Sequence, residues 1–272
     1  MAAIPFSDSE FKEICAIMYE AVGLHYNDSK KSLIHSRISP RIMRLGVESF
    51  ENYIEILRDG PDTDEFQMAV DLLTTNETYF FREPKHFEVL SKEIAELKNK
   101  SSFSVWSAAC SYGDEPYSTA MLLTDMQTSG RIGSKWSILA TDISHRVLMS
   151  AKEAIFTTDR LRGVSDEHLR KYCLTGEGNL QGHIQLQERI RDSVQFGQLN
   201  LCKDFDGIGP FDVIFLRNVL LYFDAKTKTE VVDRVLEKLK PGGLFFLGTA
   251  EGRVPCRTPL QTIIPGAFRK PA

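Results

Sequence analysis

Apolar residues recur at helical spacing through the first part of the chain, and strand-like runs begin only after about residue 100. Phe11, Ile14, Cys15, Met18 and Val22 make one helical stripe. Ser7 and Glu10 form a capping box ahead of it, Phe6 and Phe11 the matching hydrophobic staple, and Gly23 is placed to stop the helix. Further helices are predicted over about Lys30 to Leu45, Ser49 to Arg58 and Asp64 to Leu73, the last two separated by the turn Asp59-Gly60-Pro61. Pro40 lies inside the second, so a kink or a break is expected there. Residues 1–73 therefore read as a small all-helical domain, and 74–102 as a linker.

From Phe103 the pattern alternates. Strands are predicted over Phe103 to Ala109, Trp136 to Thr141, a short stretch near Val194 to Phe196, Phe211 to Leu216, and Leu244 to Gly248. Helices are predicted over Pro116 to Met126, Ser144 to Ala154 and Lys226 to Leu239, the last with Val231, Val232, Val235, Leu236 and Leu239 on one face and Pro241-Gly242-Gly243 ending it. Such alternation predicts an α/β domain over 103–272: a doubly wound parallel sheet, covered on both faces and joined by right-handed crossovers. One region breaks the rhythm. From about 156 to 196 a helical piece leads to Gly176, Gly178 and Gly182 and then to the alternating run His183-Ile184-Gln185-Leu186-Gln187, which reads as an inserted antiparallel β-subdomain.

Composition narrows the function classes. Of 272 residues, 42% are hydrophobic and 26% charged, the ordinary balance of a globular protein. A net charge of -4 does not suggest non-specific nucleic-acid binding, which needs a basic excess. The five cysteines include no C-x-x-C pair, so neither a zinc site nor a disulfide framework is indicated, and no metal is expected. No basic stretch followed by an apolar run opens the chain. The most apolar segment, Phe211 to Phe223, is interrupted by Arg217 and Asn218 and is too short to span a bilayer. A cytoplasmic protein with no membrane insertion is expected.

Ligands of open α/β sheets bind beyond the carboxyl ends of the strands, so the residues following each strand carry the candidate chemistry. After the first strand comes Ala108-Ala109-Cys110-Ser111-Tyr112-Gly113-Asp114-Glu115-Pro116. It is not G-x-G-x-x-G, so the dinucleotide fingerprint fails. Its small residues allow close approach, and the pair Asp114-Glu115 suits a ligand with a cationic end, such as a methionyl amine, or else simply the positive end of a helix dipole. Asp142, after the second strand, can accept both hydroxyls of a ribose or can cap the next helix. Arg217 and Asn218, between two apolar runs, belong at a strand end facing a cleft, because burying them without partners costs several kcal/mol.

Several motifs together resemble the CheR family, the chemotaxis receptor glutamate methyltransferases. They are Thr74-Thr75-Asn76-Glu77-Thr78-Tyr79-Phe80-Phe81-Arg82-Glu83, the segment Trp106 to Ser118, Ala140-Thr141-Asp142-Ile143, Phe211 to Phe223, and Leu239-Lys240-Pro241-Gly242-Gly243. Their order is right and they extend over nearly the whole chain. The resemblance implies a class I S-adenosylmethionine (SAM) methyltransferase fold, Rossmann-like, with a helical N-terminal domain and an inserted β-subdomain. It implies cofactor contacts from Asn76, Thr78, Arg82, Glu115, Asp142, Asn200, Leu201, Arg217 and Asn218, and catalytic roles for Arg82 and Tyr222, although Tyr222 read alone also fits a buried aromatic. It implies transfer of a methyl group to receptor glutamates, giving a methyl ester and S-adenosylhomocysteine. The expected partner is the cytoplasmic methylation region of chemoreceptors, met by a monomer through a basic helix face carrying Arg37, Arg41 and Arg44, with Lys30 and Lys31 nearby. A receptor C-terminal peptide at the β-subdomain is a further expected contact. This chain departs from the family at Tyr112, where Thr is frequent, and at Asp114, where Glu is frequent, and Tyr112 is expected to reshape the pocket rim. Its tail, Gly252 to Ala272, has no clear match. Methylation of another substrate, or a non-catalytic SAM-binding signalling module, are the alternatives.

Overall fold

The four helices expected before residue 74 form because each has an apolar stripe, and all but the second begin with a side-chain cap: α1 (Asp8–Val22), α2 (Lys31–Leu45), α3 (Phe50–Arg58) and α4 (Asp64–Leu73). The computed structural model describes residues 4–96, 102–133, 135–178 and 181–272. The α1 capping box is present: the Ser7 hydroxyl accepts from the Glu10 N–H at 3.2 Å, and the Glu10 carboxylate accepts from the Ser7 N–H at 2.6 Å. Gly23 ends α1 in the left-handed region (φ 73), and a Cβ there would lie 2.4 Å from Cys202 Sγ, so glycine also allows close approach to the second domain. The stripes of α1–α4 meet in one core around Ile14, Ile34, Ile38, Phe50, Tyr53 and Phe66.

The break expected at Pro40 does not occur; α2 runs through it. Pro40 and Ser36, whose carbonyl loses its helical donor, both lie on the exposed side, where water can serve that carbonyl.

The linker carries a helix that was not expected, α5 (Pro84–Glu96), burying Phe87, Leu90 and Ile94. Beyond it come β1 (Ser102–Ser107), α6 (Asp114–Thr128), β2 (Lys135–Asp142) and α7 (His145–Glu153). The insertion follows: β3 (Ile155–Thr157), α8 (Asp166–Tyr172), β4 (Cys173–Thr175), β5 (His183–Leu186) and the single turn α9 (Glu188–Arg191). Then come β6 (Val194–Gln198), β7 (Phe211–Leu216), α10 (Ala225–Glu237), β8 (Leu239–Leu247), β9 (Gln261–Ile264) and β10 (Ala267–Arg269). The main sheet has the order β6-β2-β1-β7-β8-β10-β9, with the first five strands parallel and β10 antiparallel to both neighbours. One face, with Val105, Val213, Phe215 and Phe246, packs in a core with α5, α6 and the insertion. The other, with Trp106, Ile214, Leu216 and Phe245, packs on α10. The sheet is doubly wound, as expected. The insertion is a separate three-stranded antiparallel sheet, β3-β5-β4.

One expectation about the C-terminal third is corrected. Pro241-Gly242-Gly243 does not end a helix: α10 stops at Glu237, and the three residues bulge inside β8, where Phe211 pairs with Leu239 but Val213 with Leu244. The bulge is held by the chain end, since the Gly242 N–H donates to the Lys270 carbonyl and the Lys270 N–H to that of Gly243. The tail, Gly252 to Ala272, belongs to the sheet, because its β9–β10 hairpin covers the edge of β8.

Candidate active site

Strand order reverses beside β1, which lies between β2 and β7, and a cleft opens at the carboxyl ends of these strands. Its floor is Ala108–Ser111 after β1, Asp142 and Ile143 at the end of β2, Leu199–Leu201 after β6, and Arg217–Val219 after β7. The segment Thr74–Tyr79 and Arg82 form one wall; Val22 and Leu24, from the helical domain, contribute to another. The cleft encloses ≈ 990 Å³ of space, part of it open solvent. Asn76, Thr78, Arg82, Glu115, Asp142, Asn200, Leu201, Arg217, Asn218 and Tyr222 all line it. Residues expected from separate stretches of sequence are thus brought to one place.

The centre of its electrostatics is Arg217, whose side chain is 2% exposed. Its guanidinium donates to Glu115 at 2.9 Å, to Glu83 at 2.7 Å and to the Arg82 carbonyl at 2.6 Å. Two carboxylates and a carbonyl offset the cost of burying this cation. Glu115 also accepts from the Ser107 hydroxyl at 2.7 Å. Burial pushes its carboxyl above the usual range against the opposing pull of Arg217 and Ser107. Glu83 behaves oppositely: burial pushes it up, but Arg217 and the Thr249 N–H outweigh that and its carboxyl is lowered.

Asp142 is buried, and its two oxygens accept from the N–H groups of Ser111 (2.8 Å) and Ser144 (3.0 Å). Burial raises its carboxyl against those two hydrogen bonds. The cap of α7 is Ser144, not Asp142. Asn200 lines the cleft through a loop that its own amide ties down: Nδ2 donates to the Ala21 carbonyl at 2.8 Å, and Oδ1 accepts from the Cys202 N–H at 2.9 Å. Asn218 sits in the left-handed region (φ 60). Arg82 donates to the Glu77 carbonyl at 3.1 Å and stands over the Tyr79 ring. Burial raises the Tyr222 hydroxyl above its ordinary value against the opposing pull of Thr75 and Arg82.

The acidic pair separates: only Glu115 lines the cleft. Asp114, fully buried, turns to an ion pair with Arg160, whose guanidinium in turn covers the Tyr112 ring at 4.6 Å. Burial raises the Asp114 carboxyl to about 6. Tyr112 does not line the cleft but a neighbouring groove, so the expected change at the pocket rim lies beside it.

The basic stripe of α2 is also not a single free face. Arg37 donates to the carbonyls of Leu72, Leu73 and Thr74, completing the end of α4. Arg41 is ion-paired with Glu65, which also accepts from the Tyr53 hydroxyl at 2.8 Å. Arg44 is exposed and has no charged partner among the described residues.

Two acids were not singled out from the sequence. Glu83 holds Arg217. Glu251 holds the loop after β7, accepting from the N–H groups of Asn218 (2.8 Å), Leu220 (2.7 Å) and Gly248 (2.7 Å). A signal for Glu251 existed: it lies three residues past the strand predicted to end at Gly248, where ligand-facing loops occur.

Comparison with known proteins finds two family models in tandem. One, described as "CheR methyltransferase, all-alpha domain", matches residues 9–74; the other, "CheR methyltransferase, SAM binding domain", matches residues 76–262. The chain is 35% identical over 249 residues to a chemotaxis protein methyltransferase of Salmonella typhimurium, covering 91% of this chain and 85% of that protein. It is 36% identical to the Escherichia coli protein of the same description, covering 91% and 86%. It is 34% identical over 276 residues to that of Borreliella burgdorferi, covering 98% and 96%.

Proposed function

The chain belongs to the CheR methyltransferase family, and from that premise we propose that it transfers a methyl group from S-adenosylmethionine to glutamate side chains of chemotaxis receptors. It is a SAM-dependent methyltransferase by family; the acceptor and the residue roles are our reading. One observation carries that reading: a single cleft collects Glu115, Asp142, the Asn200–Leu201 loop and Arg217–Asn218 beside the Thr74–Arg82 segment.

The cleft's chemistry fits the cofactor. Glu115 would take the methionyl amine, Asp142 the ribose hydroxyls, and the Asn200–Leu201 loop the adenine, with Asn76, Thr78 and Asn218 lining the remainder. Arg217 is committed to Glu83 and Glu115 and acts by holding Glu115. Arg82 has guanidinium donors to spare and is the cation for a carboxylate, of the methionyl group or of the incoming glutamate. When bound, SAM supplies an electrophilic methyl on a sulfonium, and attack by a carboxylate oxygen gives a methyl ester and S-adenosylhomocysteine. A glutamate with a pKa of about 4.3 is already ionised at neutral pH, so the chain need provide no general base. Its task is alignment, where effective molarities reach about 10⁵ to 10⁸ M. Tyr222, kept protonated by burial, orients rather than removes a proton.

The β-subdomain supports a second receptor contact. Strand β4 is an edge of its sheet and exposes Leu174 (52%), a place where an extended receptor tail could add a strand. Among the described residues no helix is long and apolar enough to cross a membrane.

The test is transfer of radiolabelled methyl groups to receptor-containing membranes. Label released as methanol by mild base is the expected result. Base-stable label would move the acceptor away from carboxylates, and no transfer with intact cofactor binding would favour a signalling module.

A further inference from the structure

Next to the cofactor cleft lies a groove lined by Arg37, Thr74, Thr75, Asn76, Tyr112 and Arg146. Thr74, Thr75 and Asn76 line both, so the groove adjoins the cleft at that segment. We infer that this groove receives the acidic segment of the protein substrate, with Arg146 as its principal anchoring cation. The inference rests on the methyltransferase reading above and moves the docking surface from the outer face of α2 to the mouth of the cleft.

The charge balance argues for it. Arg41 is neutralised by Glu65. Arg37 and Arg146 are not neutralised: each donates to backbone carbonyls, Arg146 to that of Asp71 at 3.1 Å, and neither makes an ion pair among the described residues. The Asp71 carboxylate is buried and accepts from Gln67 (3.0 Å) and the Arg146 N–H (3.3 Å). Arg146 also stands in the first turn of α7, where a cation opposes the helix dipole. An exposed arginine without an ion pair, beside a second arginine whose charge is met only by the carbonyls at the end of α4, suits an anionic partner. Across the shared segment, Thr75 lines the cleft together with Tyr222 and Arg82, so a carboxylate entering over Thr75 arrives beside them. Tyr112, held under Arg160, gives the groove a fixed aromatic wall.

The test uses the full chain, a fluorescent acidic helical peptide from a receptor methylation region, and S-adenosylhomocysteine as separate probes. Arg146→Glu should weaken peptide binding by about tenfold or more. Arg146→Lys should restore most of it, and S-adenosylhomocysteine affinity should stay unchanged in both. Arg44→Glu, on the outer end of α2, should do less than Arg146→Glu. Wild-type peptide affinity in Arg146→Glu, a parallel loss of cofactor affinity, or a larger effect from Arg44→Glu overturns the inference. Peptide binding that depends on Arg146 in a protein transferring no methyl group would overturn the proposed function and leave this docking site standing.

Discussion

At the scale of single residues the cleft sets function against stability, and Glu115 shows the conflict. A carboxylate beside the cofactor's expected cationic end attracts it, yet the same carboxylate is buried, and burial raises its folded-state pKa above the ordinary 4.5. An acid raised on folding contributes stability that is full below its unfolded pKa and is lost as pH rises through the folded value. At neutral pH the ionised Glu115 is therefore a cost to the fold, reduced by Arg217 and Ser107. Glu115→Gln keeps one oxygen to accept from Arg217, turns the other into an amide NH2 from which the Ser107 hydroxyl can accept, and removes the charge. We expect S-adenosylhomocysteine affinity to fall by about 10- to 150-fold, the worth of one charge-assisted hydrogen bond at about 1.5–3 kcal/mol. The urea midpoint of the ligand-free variant at neutral pH should not fall. Calorimetry and denaturation together decide it: a variant that binds normally, or that unfolds markedly earlier, would contradict this account.

At the scale of elements, α2 offers the simplest test. A proline inside a helix costs roughly 3 kcal/mol relative to alanine, through a lost hydrogen bond and a steric clash. Pro40 lies on the exposed side of a helix that continues through it, so nothing packed must move when it is replaced. Pro40→Ala should stabilise the protein by about 1–3 kcal/mol in urea denaturation; an unchanged or lowered midpoint would mean that Pro40 has a packing role. The proline also marks where local reading stops. The helices α1 to α4 were legible because their signals, caps and apolar stripes, lie within a few residues of one another. Residues directly after β1, β2 and β7 were legible as cleft residues because strand ends face ligands in this architecture. The bulge at Pro241-Gly242-Gly243 was not, because what keeps it in a strand is the pairing of the flanking Leu239 with Phe211 and Leu244 with Val213, and its own bonds to Lys270 on the other side. Glu83 escaped for the same reason: its meaning depends on Arg217, 134 positions away. The Arg37–Arg41–Arg44 spacing was read correctly as one helix face, but spacing cannot reveal that Glu65 and the end of α4 take up two of the three.

At the scale of the whole molecule, the helical domain and the sheet domain share the cleft. The His25 N–H donates to the Tyr222 carbonyl at 2.9 Å, the Asn200 amide to the Ala21 carbonyl at 2.8 Å, and Gln67 to the Ile143 carbonyl at 3.1 Å. Val22 and Leu24, at and beyond the end of α1, line the same space as Asp142 and Arg217 at the ends of β2 and β7. A ligand held by both domains binds only when they are together, so its binding energy opposes their separation as well as the unfolding of either. S-adenosylhomocysteine at a hundred times its Kd should add about 2.7 kcal/mol to stability. The gain should appear as one cooperative transition, and amide exchange should slow both around Gly23 and around Asn200. Asn200→Ala removes the tie to Ala21 without touching Glu115 or Asp142, so it should split or broaden that transition and weaken the ligand's protection of α1 more than that of β1. If the ligand shifts only a second transition belonging to the sheet domain, and the amides near Gly23 exchange at the same rate with and without it, the helical domain is a neighbour of the site rather than one of its walls.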